Sequence, residues 1–171
     1  MYDYLLYFLA FSFFGWCAEV IFYIFKTGRL VNRGLAKGPF CPIYGVGISL
    51  CYLTFGWVKS FLLLVLFSMA MATAVEFFVG AFIFRTTGNR LWDYSSERGN
   101  LFGYVCPRFS LIWGVVTAAV IKLIPRLAPV VDFLKAPIWY AVSFTLLAVI
   151  IVDSKLEIEK RRRGKNESIS A

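Results

Sequence analysis

Residues 60–84 read SFLLLVLFSMAMATAVEFFVGAFIF, an apolar stretch of 25 residues in which Glu76 is the only ionisable side chain. About 20 apolar residues in an α-helix cross the hydrocarbon core of a bilayer. The stretch therefore predicts a membrane-spanning helix that carries a carboxylate. Because such a group is costly inside a bilayer, its presence usually indicates a function.

The loop after this helix contains a ten-residue pattern that occurs twice in the chain. RGNLFGYVCP occupies residues 98–107 and RGLAKGPFCP occupies residues 33–42, so both copies read R-G-x-x-x-G-x-x-C-P. The earlier copy also follows an apolar stretch with a carboxylate, Glu19. Repeats in membrane proteins commonly build a pseudo-symmetric site at their shared interface. We expect two parallel helix–loop–helix repeats, at about residues 4–58 and 60–124.

Composition places the chain among membrane proteins, because 60% of its 171 residues are hydrophobic and only 16% are charged. Soluble domains are about half apolar and a quarter charged. Apolar segments predict five transmembrane helices at about 4–25, 43–58, 60–84, 109–124 and 136–152. The expected fold is an all-α polytopic membrane protein with a transmembrane domain over residues 1–153. Residues 154–171 are predicted to form a charged cytoplasmic tail with a disordered end.

The basic residues predict the orientation of the chain. The loops after the first and third helices, together with the tail, hold 14 of the 18 Lys and Arg residues. Because basic residues concentrate on the cytoplasmic side, both repeated loops and the C-terminus are expected in the cytoplasm, with the N-terminus outside the inner membrane. The Arg161–Arg163 cluster is expected to touch anionic lipid, and no nucleic-acid partner is expected.

Glu19 and Glu76 are predicted to lie at similar depth. Glu19 precedes Lys26 by 7 residues and Glu76 precedes Arg85 by 9, which places both roughly 10–14 Å inside the cytoplasmic edge. Facing carboxylates would share a proton or hold a cation. Alternatively, each carboxylate pairs with a loop arginine or caps a broken helix.

The repeated loops contain Gly and Pro residues that interrupt helices: Gly34, Gly38, Pro39, Pro42, Gly99, Gly103 and Pro107. Irregular backbone at membrane depth survives only inside protein or beside a wet cavity. One interpretation is therefore a re-entrant segment that faces a solute, and the other is a rigid packing turn. The candidate ligand or ion-binding residues are Glu19, Asn32, Arg33, Tyr44, Glu76, Asp93, Arg98 and Asn100. For Asp93, a helix cap or ion pair is favoured over a solute contact.

Several chemistries are excluded. The chain has no histidine, which removes His-based catalysis, the usual zinc sites and haem ligation by His. Its four cysteines form no C-x-x-C pair, and Cys41 and Cys106 are expected to serve packing. No phosphate-binding loop motif is present, so any ATP coupling must come from a partner. We expect no catalytic residue, metal or cofactor.

Ordered motifs between about Phe11 and Pro125 carry a family resemblance: Gly15-Trp16-x-x-Glu19, Asn32-Arg33-Gly34, Gly38-Pro39-x-x-Pro42-Ile43-Tyr44-Gly45, Glu76, Trp92-Asp93-Tyr94-Ser95, Asn100-x-x-Gly103 and Ser110-x-x-Trp113-Gly114. In these motifs the chain resembles the bacterial putative ABC-transporter permease (CmpB-type) membrane family. The resemblance implies a membrane permease.

Three functions stay open from the sequence. The first is a transport component that moves an ion or small polar solute. It would require a homo-oligomer or partner membrane subunit, and a separate ATPase could energise it. The second is a membrane enzyme or lipid-phosphate-binding protein with a cytoplasmic-side site, against which the missing histidine and nucleophile motif weigh. The third is a regulatory or scaffold subunit.

Overall fold

A computed structural model describes residues 2–29, 35, 37–134 and 136–170. This part contains the α-helices α1 (Tyr2–Thr27), α2 (Pro42–Phe55), α3 (Phe61–Thr87), α4 (Pro107–Phe133) and α5 (Pro137–Ser170). The described residues contain no β-strand, and Leu101 and Val105 form an isolated bridge. The predicted all-α class is confirmed.

Three described segments are long and apolar enough to cross a membrane: Asp3–Phe25, Phe61–Thr87 and Pro107–Leu127. Helix α2 has 14 residues and is shorter than the usual span. The prediction of membrane helices is thus supported for α1, α3 and α4, and the crossing of α2 and α5 stays a prediction.

Two helices extend beyond their predicted ends. Helix α4 continues through Pro125 and Pro129 to Phe133. Helix α5 reaches Ser170, so the predicted disorder at the end of the tail is wrong. Strong helix formers dominate residues 155–163, and the Arg161 guanidinium binds the Glu157 carboxylate one turn away at 3.0 Å. Helix propensity and this ion pair both favour a helix beyond the apolar stretch of α5.

The helices pack in sequential pairs, α1 with α2 and α3 with α4, and α2 also contacts α3. Glycines bring the paired helices close together. Gly45 of α2 lies against Ser12 and Phe8 of α1, and a Cβ atom on Gly114 of α4 would lie 2.7 Å from the Cβ atom of Met69 in α3. Small residues at such crossings allow the backbones of membrane helices to approach.

Helices α2 and α4 begin partway along the helices that precede them. The backbone N–H of Cys41, just before α2, donates to the carbonyl of Ser12 at 2.8 Å. Ser12 lies about 15 residues, or roughly 22 Å, before the end of α1 at Thr27. Similarly, Gly114, in the second turn of α4, lies beside Met69, far from the end of α3 at Thr87. The starts of α2 and α4 therefore lie alongside α1 and α3 and not at the ends of those helices.

Helix α5 contacts the connection before α2 and the end of α3. The Gly38 N–H donates to Asp153 Oδ2 at 2.9 Å, and Lys165 Nζ donates to the Arg85 carbonyl at 3.0 Å. At the opposite end, Lys122 of α4 donates to the carbonyls of Val58 and Lys59 at 2.8 and 3.0 Å. Side chains from α4 and α5 thus fix both ends of the bundle.

Candidate functional site

Glu19 accepts a hydrogen bond from a tyrosine hydroxyl within the first helix pair. Tyr44 lies in the first turn of α2, and its hydroxyl donates to Glu19 Oε1 at 2.5 Å. Gly15 makes room for this arrangement, because a Cβ atom there would collide with the Tyr44 ring. Close packing of α1 and α2 therefore places a neutral donor on the carboxylate.

Glu76 has the same kind of partner in the second helix pair. The Tyr94 hydroxyl donates to Glu76 Oε1 at 2.9 Å. Tyr94 belongs to the loop before α4, and its ring stacks on Phe109 with centroids 4.7 Å apart. Phe109 follows Pro107 by two residues, just as Tyr44 follows Pro42. In the second half of the chain, the hydroxyl that binds the carboxylate thus comes from the loop before α4 and not from the helix itself.

Trp113 of α4 connects these two pairs. Its ring meets the Tyr44 ring edge to face at a centroid separation of 5.2 Å. It also lies close to the Glu76 carboxylate and the Tyr94 hydroxyl. Trp113 thus links Glu19, through Tyr44, to Glu76 and Tyr94. We call Glu19, Tyr44, Glu76, Tyr94 and Trp113 the carboxylate cluster.

The carboxylate cluster contains no basic side chain. Within the described residues, neither Glu19 nor Glu76 forms an ion pair. Arg98 is exposed and does not contact them, while Arg33 lies outside the described residues. Glu76 is 7% exposed, and its Oε2 has no hydrogen-bond partner in the described structure. An ion pair with Arg98 therefore does not explain Glu76.

Tyr94 is held as a hydrogen-bond donor by its surroundings. Burial raises the pKa of its hydroxyl, and the charge of Glu76 and the hydrogen bond to it raise that pKa further. The hydroxyl therefore stays protonated at physiological pH and continues to donate to Glu76. Neither Tyr94 nor Trp113 is among the residues that the sequence predicts to bind a ligand or ion, so both roles were missed.

Asp93 and Asn100 stabilise the second loop. Asp93 Oδ1 accepts hydrogen bonds from the Ser95 hydroxyl at 2.5 Å and the Ser95 backbone N–H at 2.9 Å, which lower the pKa of the carboxyl group. Arg90 lies 3.6 Å from the same oxygen. Asn100 donates to the Glu97 carbonyl and accepts from the Gly103 N–H. Both side chains therefore bind within the loop rather than at the carboxylate cluster.

The two copies of the ten-residue pattern agree at their last two positions. Cys41 and Cys106 are buried, and each precedes a proline that begins a helix, Pro42 in α2 and Pro107 in α4. Proline suits this position because the first turn of a helix needs no backbone donor. Burial and the charge of Glu19 raise the pKa of the Cys41 thiol to about 12, which suits packing rather than redox chemistry.

The glycines of the two copies differ in conformation. Gly99 and Gly103 have φ values of +70° and +72°. A Cβ atom on Gly103 would also collide with Arg90, Ser95 and Asp93. Gly38, the counterpart of Gly103, has no positive φ and binds Asp153 instead. Asn32, Arg33 and Gly34 lie outside the described residues, so equivalence of the whole loops stays a prediction.

Comparison with protein families gives one match that covers most of the chain. A family model described as putative ABC-transporter type IV matches residues 6–158. The expected family resemblance is confirmed, and the matched range is longer than the predicted Phe11–Pro125, since it includes much of α5. No curated protein and no solved structure matches the chain.

Proposed function

Because the chain belongs to the putative ABC-transporter type IV family, we propose that it is a membrane permease component that moves a small cation or a proton. The carboxylate cluster is its binding site in this proposal. Support comes from the position of the carboxylates in α1 and α3, two of the segments that are long and apolar enough to cross a membrane.

The observation that carries the proposal is the absence of a basic partner within the described residues around two neighbouring carboxylates. A structural carboxylate in an apolar setting is normally neutralised by Lys or Arg. Here tyrosine hydroxyls donate to Glu19 and Glu76, the neutral Trp113 ring lies close to the Glu76 carboxylate, and Glu76 Oε2 has no hydrogen-bond partner within the described residues. Neutral donors leave the negative charge uncompensated, which favours uptake of a proton or cation.

The number of ligands favours a proton or a monovalent cation. Calcium takes 6–8 oxygen ligands and commonly several carboxylates. The described residues contain no cluster of three or more His, Cys, Asp or Glu side chains. A pair of carboxylates with two tyrosine hydroxyls is better matched to an ion that binds weakly and leaves readily, as transport requires.

The connections before α2 and α4 provide a route by which an ion reaches the carboxylate cluster in this proposal. The last residues of both connections lie alongside α1 and α3, so polar backbone lies beside helices that are otherwise apolar. Such backbone is tolerated at membrane depth where it is buried in protein or lines a wet cavity, and this proposal takes it to line a wet cavity. With the basic residues favouring a cytoplasmic position for these loops, the site opens to the cytoplasm.

In this proposal, other protein chains supply the energy for transport and cover part of the apolar surface. The chain has no phosphate-binding loop motif, so a separate ATPase would supply energy. Large apolar side chains are exposed on every helix, including Phe14, Leu62 and Phe144. A second copy or a partner membrane subunit would cover part of this surface, with lipid covering the rest.

Ion flux into proteoliposomes tests the proposal. Purified protein is reconstituted, and uptake of protons, Na⁺ and K⁺ is followed with internal dyes under an imposed gradient. Glu76→Gln should reduce the flux at least about tenfold, since the charge-dependent site is lost. Glu97→Gln is the matched control, because Glu97 lies in the exposed loop beside Arg108.

A binding measurement covers the case in which flux needs the ATPase. Melting of the detergent-solubilised protein should shift with the concentration of the transported cation or with pH, and the shift should disappear in Glu76→Gln. A doubly substituted Glu19→Gln, Glu76→Gln protein that is folded and keeps both the wild-type flux and the melting shift would overturn the proposal.

A further inference from the structure

An open groove lies between α5 and the α1–α2 pair. Its volume is about 490 Å³, within the range of about 300–1,000 Å³ of small-molecule sites. The lining residues are Phe8, Pro42, Val46, Ile150, Ile151, Ser154, Lys155, Ile158, Glu159 and Arg162. The groove is separate from the carboxylate cluster, since it shares no residue with it.

The chemistry of the groove changes along α5. Ile150 and Ile151 belong to the apolar stretch of α5, whereas Lys155, Glu159 and Arg162 follow after that stretch ends. Residues 155, 159 and 162 are spaced by four and three positions, so they share one helix face. The groove therefore joins an apolar half to a charged half, as does the boundary between hydrocarbon and head groups in a bilayer.

The charged side chains of the groove are available to bind a ligand. Lys155, Glu159 and Arg162 form no ion pair within the described residues. The buried Oγ atom of Ser154, which also lines the groove, has no hydrogen-bond partner in the described structure. Two cations and one carboxylate leave a net charge of +1, which fits a single phosphate diester better than several phosphates.

We propose that this groove binds one membrane phospholipid, with an acyl chain in the apolar half and its phosphate between Lys155 and Arg162. The apolar half fits hydrocarbon, and the net positive charge complements the phosphate. A free phosphate would use the charged half alone and leave the apolar half without an occupant. Pro42 also lines the groove, so the bound lipid contacts the start of α2.

Native mass spectrometry of the full chain in detergent tests the proposal, with phosphatidylglycerol titrated as the probe. Lys155→Gln and Arg162→Gln should each weaken binding roughly fivefold. The matched control is Lys160→Gln with Arg163→Gln, which removes the same charge from the same helix at exposed positions that do not line the groove. This control should retain wild-type affinity within about twofold.

A second variant tests the acyl chain independently of charge. Val46→Trp fills the apolar half of the groove and should reduce lipid binding while helical content by circular dichroism stays unchanged. The proposal is overturned if the control pair weakens binding as much as Lys155→Gln with Arg162→Gln, because general attraction to a basic tail would then explain the lipid. It is also overturned if Val46→Trp binds lipid normally, or if inorganic phosphate displaces the lipid.

Discussion

Tyr94 stacks on Phe109 with ring centroids 4.7 Å apart, and its hydroxyl donates to Glu76. Phe109 holds the position in α4 that Tyr44 holds in α2. The two halves of the chain thus bring a tyrosine hydroxyl to a membrane carboxylate by different routes, one from a helix and the other from a loop that rests on that helix.

Tyr94→Phe should destabilise the protein by about 1.5–3 kcal/mol, because a hydrogen bond to a charged group is lost while Glu76 stays buried. Adding Phe109→Tyr to this variant should recover part of the loss, since it offers a hydroxyl from the helix as Tyr44 does. Thermal unfolding in detergent measures both changes. Equal stability of Tyr94→Phe and the wild type would show that the hydroxyl contributes nothing.

Glu76→Gln should leave stability within about 1 kcal/mol of the wild type. The Gln side-chain oxygen can still accept from Tyr94, and no described basic residue loses an ion-pair partner. Breaking a buried ion pair would instead cost about 3–5 kcal/mol. The melting temperature of the variant separates these cases, with Glu76→Ala as the comparison that removes the acceptor altogether. A large loss in Glu76→Gln would point to a basic partner such as Arg33.

Gly103→Ala should destabilise the second loop by about 2–3 kcal/mol, because φ is +72° and the new Cβ atom would meet Arg90, Ser95 and Asp93. Gly38→Ala is the matched substitution in the first loop. Its nearest contact would be Asp153 Oδ2 at 3.7 Å, so we expect a change below about 0.5 kcal/mol. Denaturant unfolding of both variants makes the comparison. Similar losses would contradict the different roles of the two glycines.

Cys41 should resist alkylation by iodoacetamide up to about pH 9 in the folded protein. Its pKa of about 12 lies above the ordinary thiol value, so the reactive thiolate forms only as the pH approaches that value. Unfolding in sodium dodecyl sulfate should restore labelling, as peptide mass spectrometry would show. Rapid labelling of the folded chain at neutral pH would contradict the buried position of this thiol.

Orientation is tested with single cysteines introduced at exposed positions in a background without native cysteines. Ser96→Cys, in the loop before α4, should be protected from a membrane-impermeant maleimide in intact cells. Ser60→Cys, at the start of α3, should react. Labelling at Ser96 and protection at Ser60 would show that the whole chain has the opposite orientation.

Local pattern was sufficient to predict the position of each helix but not the full lengths of α4 and α5. Long apolar runs located α1, α3 and α4, and the helices predicted at about 43–58 and 109–124 begin within two residues of the starts of α2 and α4. The helical tail was missed because its Ser- and Asn-rich end favoured disorder. The stabilising contacts of α5 join it to distant segments, as in the bond from Lys165 to the Arg85 carbonyl.

The candidate site was predicted only in part. The cost of a carboxylate in an apolar helix singled out Glu19 and Glu76, but it could not tell which donors reach them. Arg98 carries the charge that an ion pair would need, yet it is exposed, and Tyr94 approaches Glu76 instead. That preference depends on the return path of the loop and the stacking on Phe109, which are tertiary features with no local sequence signal.

Two hydrogen bonds, from the Gly38 N–H to Asp153 and from Lys165 to the Arg85 carbonyl, connect α5 to two distant segments of the chain. Helix α5 contacts the first connection near the middle of the helix, at Asp153, and contacts the end of α3 at Lys165, roughly 18 Å further along. A protein or lipid that displaces the far end of this helix by a few ångströms would pull on both points together. Such a displacement would reach both halves of the chain through a single helix.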